Sequence, residues 1–223
     1  MARTLLLDLD GTLVDTVPDL ATVLNRLMAS RGLGPFSLPE TASMIGDGVA
    51  VLVVRAFAAR GATPDDEAVG DFSRDYAAHA ADASRPFPGI PEFLRDLSQL
   101  GWRMAVCTNK PEAAARTLLT TLDLMKFMCA VGGGDSFPVR KPDPAHLLAT
   151  LRLAGGEPGS AVMVGDHAND VAAAIGAGVK SVFVTWGYGP LAMGAGADVV
   201  ASDLDELAVC LSHLVPVTLP DGR

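Results

Sequence analysis

Short apolar runs alternate with longer Ala- and Leu-rich stretches along most of this chain, and that rhythm restricts its fold more than any other feature. The runs fall at residues 4–7, 104–107, 129–131, 162–164, 181–184 and 198–200. Helical patterns lie between most of them, at residues 90–100, 112–122, 144–153 and 169–177. The runs are continuous rather than alternately apolar and polar, so each strand must be buried on both faces. The pattern predicts an α/β fold, a doubly wound parallel sheet with a Rossmann-like core.

One stretch breaks the rhythm. Between Leu13 and Pro88 there are helical patterns and loops but no convincing strand. Residues 21–32 read as a helix ended by Gly32, and residues 49–61 as another ended by Gly61. A third is expected over residues 65–81. Residues 49–54 alone could form a strand, but their Ala-rich continuation favours a helix. The expected organisation is therefore a core of residues 1–13 and 88–223 with an all-helical cap domain, residues 14–87, inserted after the first strand.

The chain carries a formal net charge of -9, which argues against non-specific binding to nucleic acid or to an anionic membrane surface. A small anionic substrate remains compatible, because its site needs only local cations. Aromatic residues make up 5% of a chain that is 49% hydrophobic, so the core must be built mainly from Ala, Val and Leu. The amino-terminal apolar run is too short for a secretory signal, and no stretch reaches membrane-spanning length. Cys107, Cys129 and Cys210 form no metal or disulfide spacing. A cytoplasmic protein with reduced thiols is expected.

Four groups of chemically active residues stand at expected strand ends, where ligands bind in open parallel sheets. The first is Asp8-Leu9-Asp10-Gly11-Thr12. Alternate side chains of an extended segment point the same way, so Asp8 and Asp10 can flank one site. Gly11 permits a sharp turn and close approach of backbone amides to an anion, and Gly11 and Thr12 are candidate substrate contacts. Asp203-Leu204-Asp205 repeats the acid spacing but lacks a following Gly-Thr. There Ser202 and Asp205 make a capping-box pattern, so that pair is assigned to a helix start. The second group is Thr108-Asn109-Lys110, which suits phosphate oxygens or, equally, a helix cap before Pro111.

The third group centres on Lys141, held extended by Pro142 and suited to act as a point charge for phosphate. The fourth is Gly165-Asp166-His167-Ala168-Asn169-Asp170. Asp166 and Asp170 offer oxygen ligands to a hard divalent cation. The oxygen-rich donor set favours magnesium over zinc, and His167 reads as a polar loop residue rather than a ligand. Each group alone could be a cap or a solvated loop. Four such groups at four strand ends make a shared site the better reading.

These motifs, in this order, resemble those of the haloacid dehalogenase-like superfamily. The segments Ser-Met-Ile-Gly-Asp-Gly at 43–48, Val-Gly-Gly-Gly-Asp at 131–135 and Val-Gly-Asp-His-Ala-Asn-Asp at 164–170 further resemble bacterial phosphoglycolate phosphatases. In that subfamily Ser commonly stands where this chain has His167. The resemblance implies a magnesium-dependent phosphatase acting on a small phosphate monoester, most simply 2-phosphoglycolate. Asp8 would attack phosphorus and become an aspartyl-phosphate. Asp10, held protonated, would donate to the leaving alkoxide and then activate water. Mg²⁺ would be held by Asp8, the Asp10 carbonyl and Asp166, with Asp170 supporting directly or through water. Thr108 and Lys141 would neutralise the transferring oxygens, with Asn109 beside them.

The inserted helices would close over the site and supply specificity through Ile45-Gly46-Asp47-Gly48, at the start of the 49–61 helix. Gly46 and Arg55 are the candidate substrate contacts there, Arg55 either pairing charge directly or holding the cap closed. A dehalogenase would need neither Asp10 nor Asp166. A phosphonoacetaldehyde hydrolase would need a cap lysine, and no lysine occurs between Leu13 and Pro88. Phosphatases of sugar phosphates or pyrophosphate, and a sugar-phosphate mutase, share the same core requirements. An inactive scaffold would have no reason to keep two mutually repelling acids. A monomer or a homodimer is expected.

Overall fold

The computed structural model describes residues 3–216; the extreme ends of the expected core, residues 1–2 and 217–223, lie outside them. The chain begins with β1 (Thr4–Leu7) and leaves the sheet through β2 (Val14–Asp15). Four helices follow: α1 (Val17–Ser30), α2 (Leu38–Ala42), α3 (Val49–Ala59) and α4 (Ala68–His79). It returns through β3 (Arg85–Pro86) into α5 (Ile90–Gln99), β4 (Arg103–Cys107), α6 (Glu112–Thr121), β5 (Met128–Gly132) and α7 (Pro144–Leu153). The last elements are β6 (Ala161–Gly165), α8 (Ala168–Ala177), β7 (Lys180–Val184), β8 (Val199–Ala201) and α9 (Leu204–Leu214).

Six strands form one sheet in the order β5-β4-β1-β6-β7-β8, and every pairing in it is parallel. The continuous apolar runs are explained by burial on two faces. Leu5, Leu7, Met104, Val106, Val162 and Val164 pack in one cluster with α5, α6 and α9. Their neighbours Leu6, Ala105, Cys107, Ala161 and Met163 pack in another with α7 and α8. The second face carries many small side chains, which lets α7 and α8 approach closely. Leu6 is fully buried, and truncating such a residue to Ala costs about 2–5 kcal/mol.

The register positions the chemistry. Leu7 lies opposite both Val106 and Val164, so β1, β4 and β6 end together. Asp8, Thr108 and Asp166 therefore emerge within a residue of one another at the carboxyl edge.

Helices α1 to α4 bury a separate apolar cluster that includes Leu20, Leu24, Met28, Phe57, Phe72 and Tyr76. Gly32 and Gly61 follow α1 and α3 with φ of 69° and 70°, the left-handed geometry that ends a helix. Three features here differ from the expectation. Helix α1 starts at Val17, four residues before the expected 21, because Pro18 suits a first turn. Helix α2 is additional, set by a capping box between Ser37 and Glu40. The stretch also contains strands: β2 pairs antiparallel with β3, Val14 opposite Pro86 and Asp15 opposite Arg85. Two residues per strand are too few to show periodicity. Nearby, buried Asp19 accepts the N–H groups of Ala83 and Ser84 and the Ser84 hydroxyl, tying the exit of the chain to its return.

Asp203 does cap α9, accepting from Glu206 N at 2.8 Å. The reciprocal partner of Ser202 is Glu206 rather than the expected Asp205. Cys107, Cys129 and Cys210 are unpaired. Among the described residues no helix is long and apolar enough to cross a membrane.

Candidate active site

Asp8 continues the line of β1, its N–H donating to the Val164 carbonyl at 2.9 Å. Its carboxylate, with those of Asp166 and Asp170, forms a buried cluster whose ligand atoms lie within 4.8 Å of one another. Asp166 is held from three sides. Thr12 Oγ1 donates to Oδ1 at 3.0 Å, and the backbone N–H groups of Tyr188 and Gly189 donate to Oδ2 at 2.7 and 3.4 Å. Asp170 accepts from His167 N and from Lys141 Nζ. Lys141 Nζ also lies 3.0 Å from Asp8 Oδ1.

Two of the three buried carboxylates, Asp8 and Asp170, therefore share one ammonium, and Asp166 has none. Burial, and then the charge of Asp8, pushes Asp166 up to about 6. Asp170 is raised as well, by burial against the opposing pull of Lys141. Burial alone would lower Lys141, but Asp170 and Asp8 outweigh it and the ammonium is held charged. Both directions follow from the excess of negative charge. Asp8 Oδ1 is buried and lies 3.0 Å from the Lys141 ammonium without a well-directed hydrogen bond. An all-oxygen cluster with more negative than positive charge fits a hard divalent cation.

The Asp10 carboxylate points elsewhere. Lys110 Nζ donates to its Oδ1 at 2.8 Å and lies 3.2 Å from Oδ2. The same ammonium donates to Tyr76 OH at 2.6 Å and lies 4.4 Å from the centroid of the Tyr76 ring. Burial opposes the charge on Lys110, but Asp10 and Tyr76 together raise its pKa.

A cavity of about 40 Å³ lies between the sheet edge and the helices. Asp8, Asp10, Thr108, Asn109 and Lys110 line it from the sheet, and Leu20, Ile45, Gly46, Gly48, Val49, Leu52 and Tyr76 from the helices. The two sides are joined by side-chain amides. Asn109 Nδ2 donates to the Gly46 and Lys141 carbonyls at 2.9 Å each. Asn169 Nδ2 donates to the Gly46 carbonyl at 3.2 Å and to Asp47 Oδ1 at 2.7 Å.

Five residues expected at the site thus sit together on the cavity: Asp8, Asp10, Thr108, Asn109 and Gly46. Lys141, Asp166 and Asp170 stand behind Asp8. Gly11 and Thr12 do different work from that expected. The Gly11 N–H donates to the Val14 carbonyl at 3.0 Å and is not free for an anion. Gly11 has φ of 85°, and a Cβ there would overlap the Asp166 carboxylate, so glycine is needed for that close approach. Thr12 spends its hydroxyl on Asp166. Arg55 does not line the cavity; it pairs with Asp47 at 2.6 Å and donates to the Met44 carbonyl at 3.1 Å. Asp47 is in turn held by Asn169, so this contact is of the kind expected for Arg55 in holding the cap closed.

His167 caps α8, its Nδ1 accepting from Asn169 N at 3.3 Å, and burial lowers its pKa. The sequence reading missed Tyr76, Lys110 as a partner of Asp10, and the loop of Trp186 and Tyr188. Lys110 had a signal: it is one of only four lysines and directly follows a strand-end motif.

Comparison with known proteins agrees with this geometry. Residues 5–184 match the haloacid dehalogenase-like hydrolases. A phosphoglycolate phosphatase of Agrobacterium fabrum is 44% identical over 92% of this chain and 90% of its own. One of Caulobacter vibrioides is 41% identical over 98% of this chain and 94% of its own. The crystal structure of a predicted phosphoglycolate phosphatase from Haemophilus somnus superposes with a TM-score of 0.86 at 30% identity, covering 94% of this chain and 97% of that one. With the family match spanning most of its length and relatives more than 40% identical over most of both chains, the chain belongs to the haloacid dehalogenase-like hydrolase family.

Proposed function

We propose that this chain hydrolyses 2-phosphoglycolate through an aspartyl-phosphate on Asp8, with Mg²⁺ held by Asp8, Asp166, the Asp10 carbonyl and Asp170. As a phosphoglycolate phosphatase-like member of its family it is a phosphoric monoester hydrolase. The observation that carries the mechanism is the placement of Asp8. It alone belongs to both the acid cluster and the cavity lining.

In this reading an Asp8 oxygen bonds to phosphorus as the bond to the ester oxygen breaks. Asp10 gives the leaving alkoxide its proton and then takes one from the water that cleaves the acyl phosphate. Lys110 fixes the position of Asp10 for both halves of that role. Thr108 and Lys141 face the charge on the transferring oxygens. When bound, Mg²⁺ supplies the positive charge that lets an anionic nucleophile approach an anionic phosphate. The helices α1–α4, residues 14–87, act as the cap, closing the cavity against water through the Asn109 and Asn169 contacts.

The size of the closed cavity, about 40 Å³, supports a leaving group of few atoms over a sugar, since a single water already needs about 10–15 Å³. Phosphate release from 2-phosphoglycolate, hexose phosphates and pyrophosphate, each with and without Mg²⁺, tests the reading. Preference for a hexose phosphate or pyrophosphate would overturn the substrate and leave the core chemistry standing.

A further inference from the structure

The substrate reading requires a charge partner for the carboxylate of the leaving group. In 2-phosphoglycolate it sits one carbon from the ester oxygen. Arg55, the cation expected to meet it, is committed to Asp47 and the Met44 carbonyl. The cap wall of the cavity is largely apolar, formed by Leu20, Ile45, Val49 and Leu52. The polar groups this wall offers are the uncapped first-turn N–H groups of α3 behind Gly48, and a buried carboxylate set against them still gains from a full positive charge on its other side. Lys110 is the one cationic side chain among the residues lining the cavity.

We propose that Lys110 is the specificity residue of this enzyme, donating to the carboxylate of the leaving group while it holds Asp10. The inference rests on the phosphoglycolate reading and deepens it. Three observations carry it. First, an ammonium has three donors, and the partners of Lys110 Nζ among the described residues are the Asp10 carboxylate and Tyr76 OH. The two Asp10 oxygens can share one N–H, which leaves a third for a ligand. Second, the spacing is right. Asp10 must reach the ester oxygen to protonate it, and Lys110 Nζ is 2.8 Å from Asp10 Oδ1. A carboxylate one carbon away from that oxygen places its own oxygens roughly 3 Å further on, within hydrogen-bond reach of the same ammonium. Third, the side chain is held in place. Its ammonium is fully buried and fixed beside the Tyr76 ring by the cap. The cation is therefore complete only when cap and core meet, and an ester with a neutral leaving group gains nothing from it.

The test compares 2-phosphoglycolate with its neutral isostere, 2-phosphoglycolamide. The wild type should favour the carboxylate in kcat/KM. Lys110→Met should cut that preference about 10- to 150-fold, the range for a hydrogen bond to a charged group. Any loss that acts through Asp10 falls on both esters and cancels from the ratio. An unchanged ratio, with both esters slowed alike, would overturn the proposal and leave Lys110 as support for Asp10. Folding of the variant is checked by thermal melting. Should it fail to fold, Tyr76→Phe carries the test, because it removes one of the two partners that fix Lys110. The ratio should then fall about three- to tenfold, and no change would overturn the proposal. A wild type that hydrolyses other esters but not 2-phosphoglycolate would overturn the substrate reading itself. That result is distinct from a wild type that turns it over and keeps its preference in Lys110→Met.

Discussion

The Asn109 side-chain amide donates to the Gly46 carbonyl at 2.9 Å, joining the end of β4 to the loop that starts α3. Gly46 has φ of 122°, and a Cβ there would come 2.5 Å from the His167 ring. Gly46→Val should therefore push the loop off the core. We expect kcat/KM to fall about 5- to 150-fold, the effect of about 1–3 kcal/mol of strain on the closed state. The losses should be similar for 2-phosphoglycolate and p-nitrophenyl phosphate, since closure serves both. Arg55→Ala should cost each ester less than about fivefold, because its pair with Asp47 is partly exposed. A loss confined to phosphoglycolate in either variant would return these residues to direct recognition.

Asp8→Asn should abolish phosphate release while leaving the melting temperature near that of the wild type, since the amide keeps the shape but cannot form the acyl phosphate. Asp10→Asn should lose about 100- to 10,000-fold in turnover, the range for a single acid–base group. Mass spectrometry of acid-quenched enzyme should find a phosphorylated peptide containing Asp8. Normal turnover by Asp8→Asn would exclude covalent catalysis through this residue.

The cation should bind with a pH dependence set by the acid cluster. Asp166 is raised to about 6, first by burial and then by Asp8. A raised carboxylate takes up its proton at higher pH than usual, so protons compete with the cation as pH falls through 6. Mg²⁺ affinity should be nearly constant only above about pH 8, because burial raises Asp170, another holder of the cation, to about 7. Below pH 6 it should drop by up to about tenfold per unit for each carboxylate that must deprotonate. Titration calorimetry in buffers of different ionisation enthalpy should detect proton release near pH 6. Ca²⁺ should substitute poorly in turnover, because its looser oxygen shell misplaces nucleophile and phosphate. Full activity in excess chelator would remove the metal from the mechanism.

The parts of this molecule legible in its sequence are those with a strong local cause. The central strands had to be continuous apolar runs because both faces are covered, and Leu5, Leu6 and Leu7 show it in three successive residues. Asp8 and Asp166 could be placed because each follows such a run, whereas Lys141 lies nine residues beyond the end of β5 and was marked only by Pro142. What escaped the sequence depends on backbone groups or on distance along the chain. The N–H groups that orient Asp166 come from Tyr188 and Gly189, and an amide has no residue signature. Tyr76 stacks with Phe72 in a helix whose apolar face predicts only packing, yet its hydroxyl meets a lysine 34 residues away. Gly11 and Thr12 were recognised as important for the wrong reason. They serve Asp166, a partner 154 residues from Thr12.

The loop after β7 yields the last prediction. Tyr188 OH accepts from Thr16 N at 2.7 Å and from Val17 N at 3.3 Å, and donates to Asp15 Oδ1 at 2.9 Å. Those three residues are the first stretch of chain leading from the core into α1. The N–H of the same tyrosine holds Asp166 Oδ2. Tyr188→Phe keeps that N–H and the ring but removes the hydroxyl, so Thr16 N loses its acceptor in a buried position. An unsatisfied buried donor costs about 1–3 kcal/mol. Urea unfolding should show a loss of that size with an unchanged m-value, since the exposed surface is the same in both proteins. Mg²⁺ affinity should change much less than stability, because the bonds to Asp166 come from the backbone. A large loss of affinity with little loss of stability would mean that the hydroxyl supports the acid cluster rather than the start of α1.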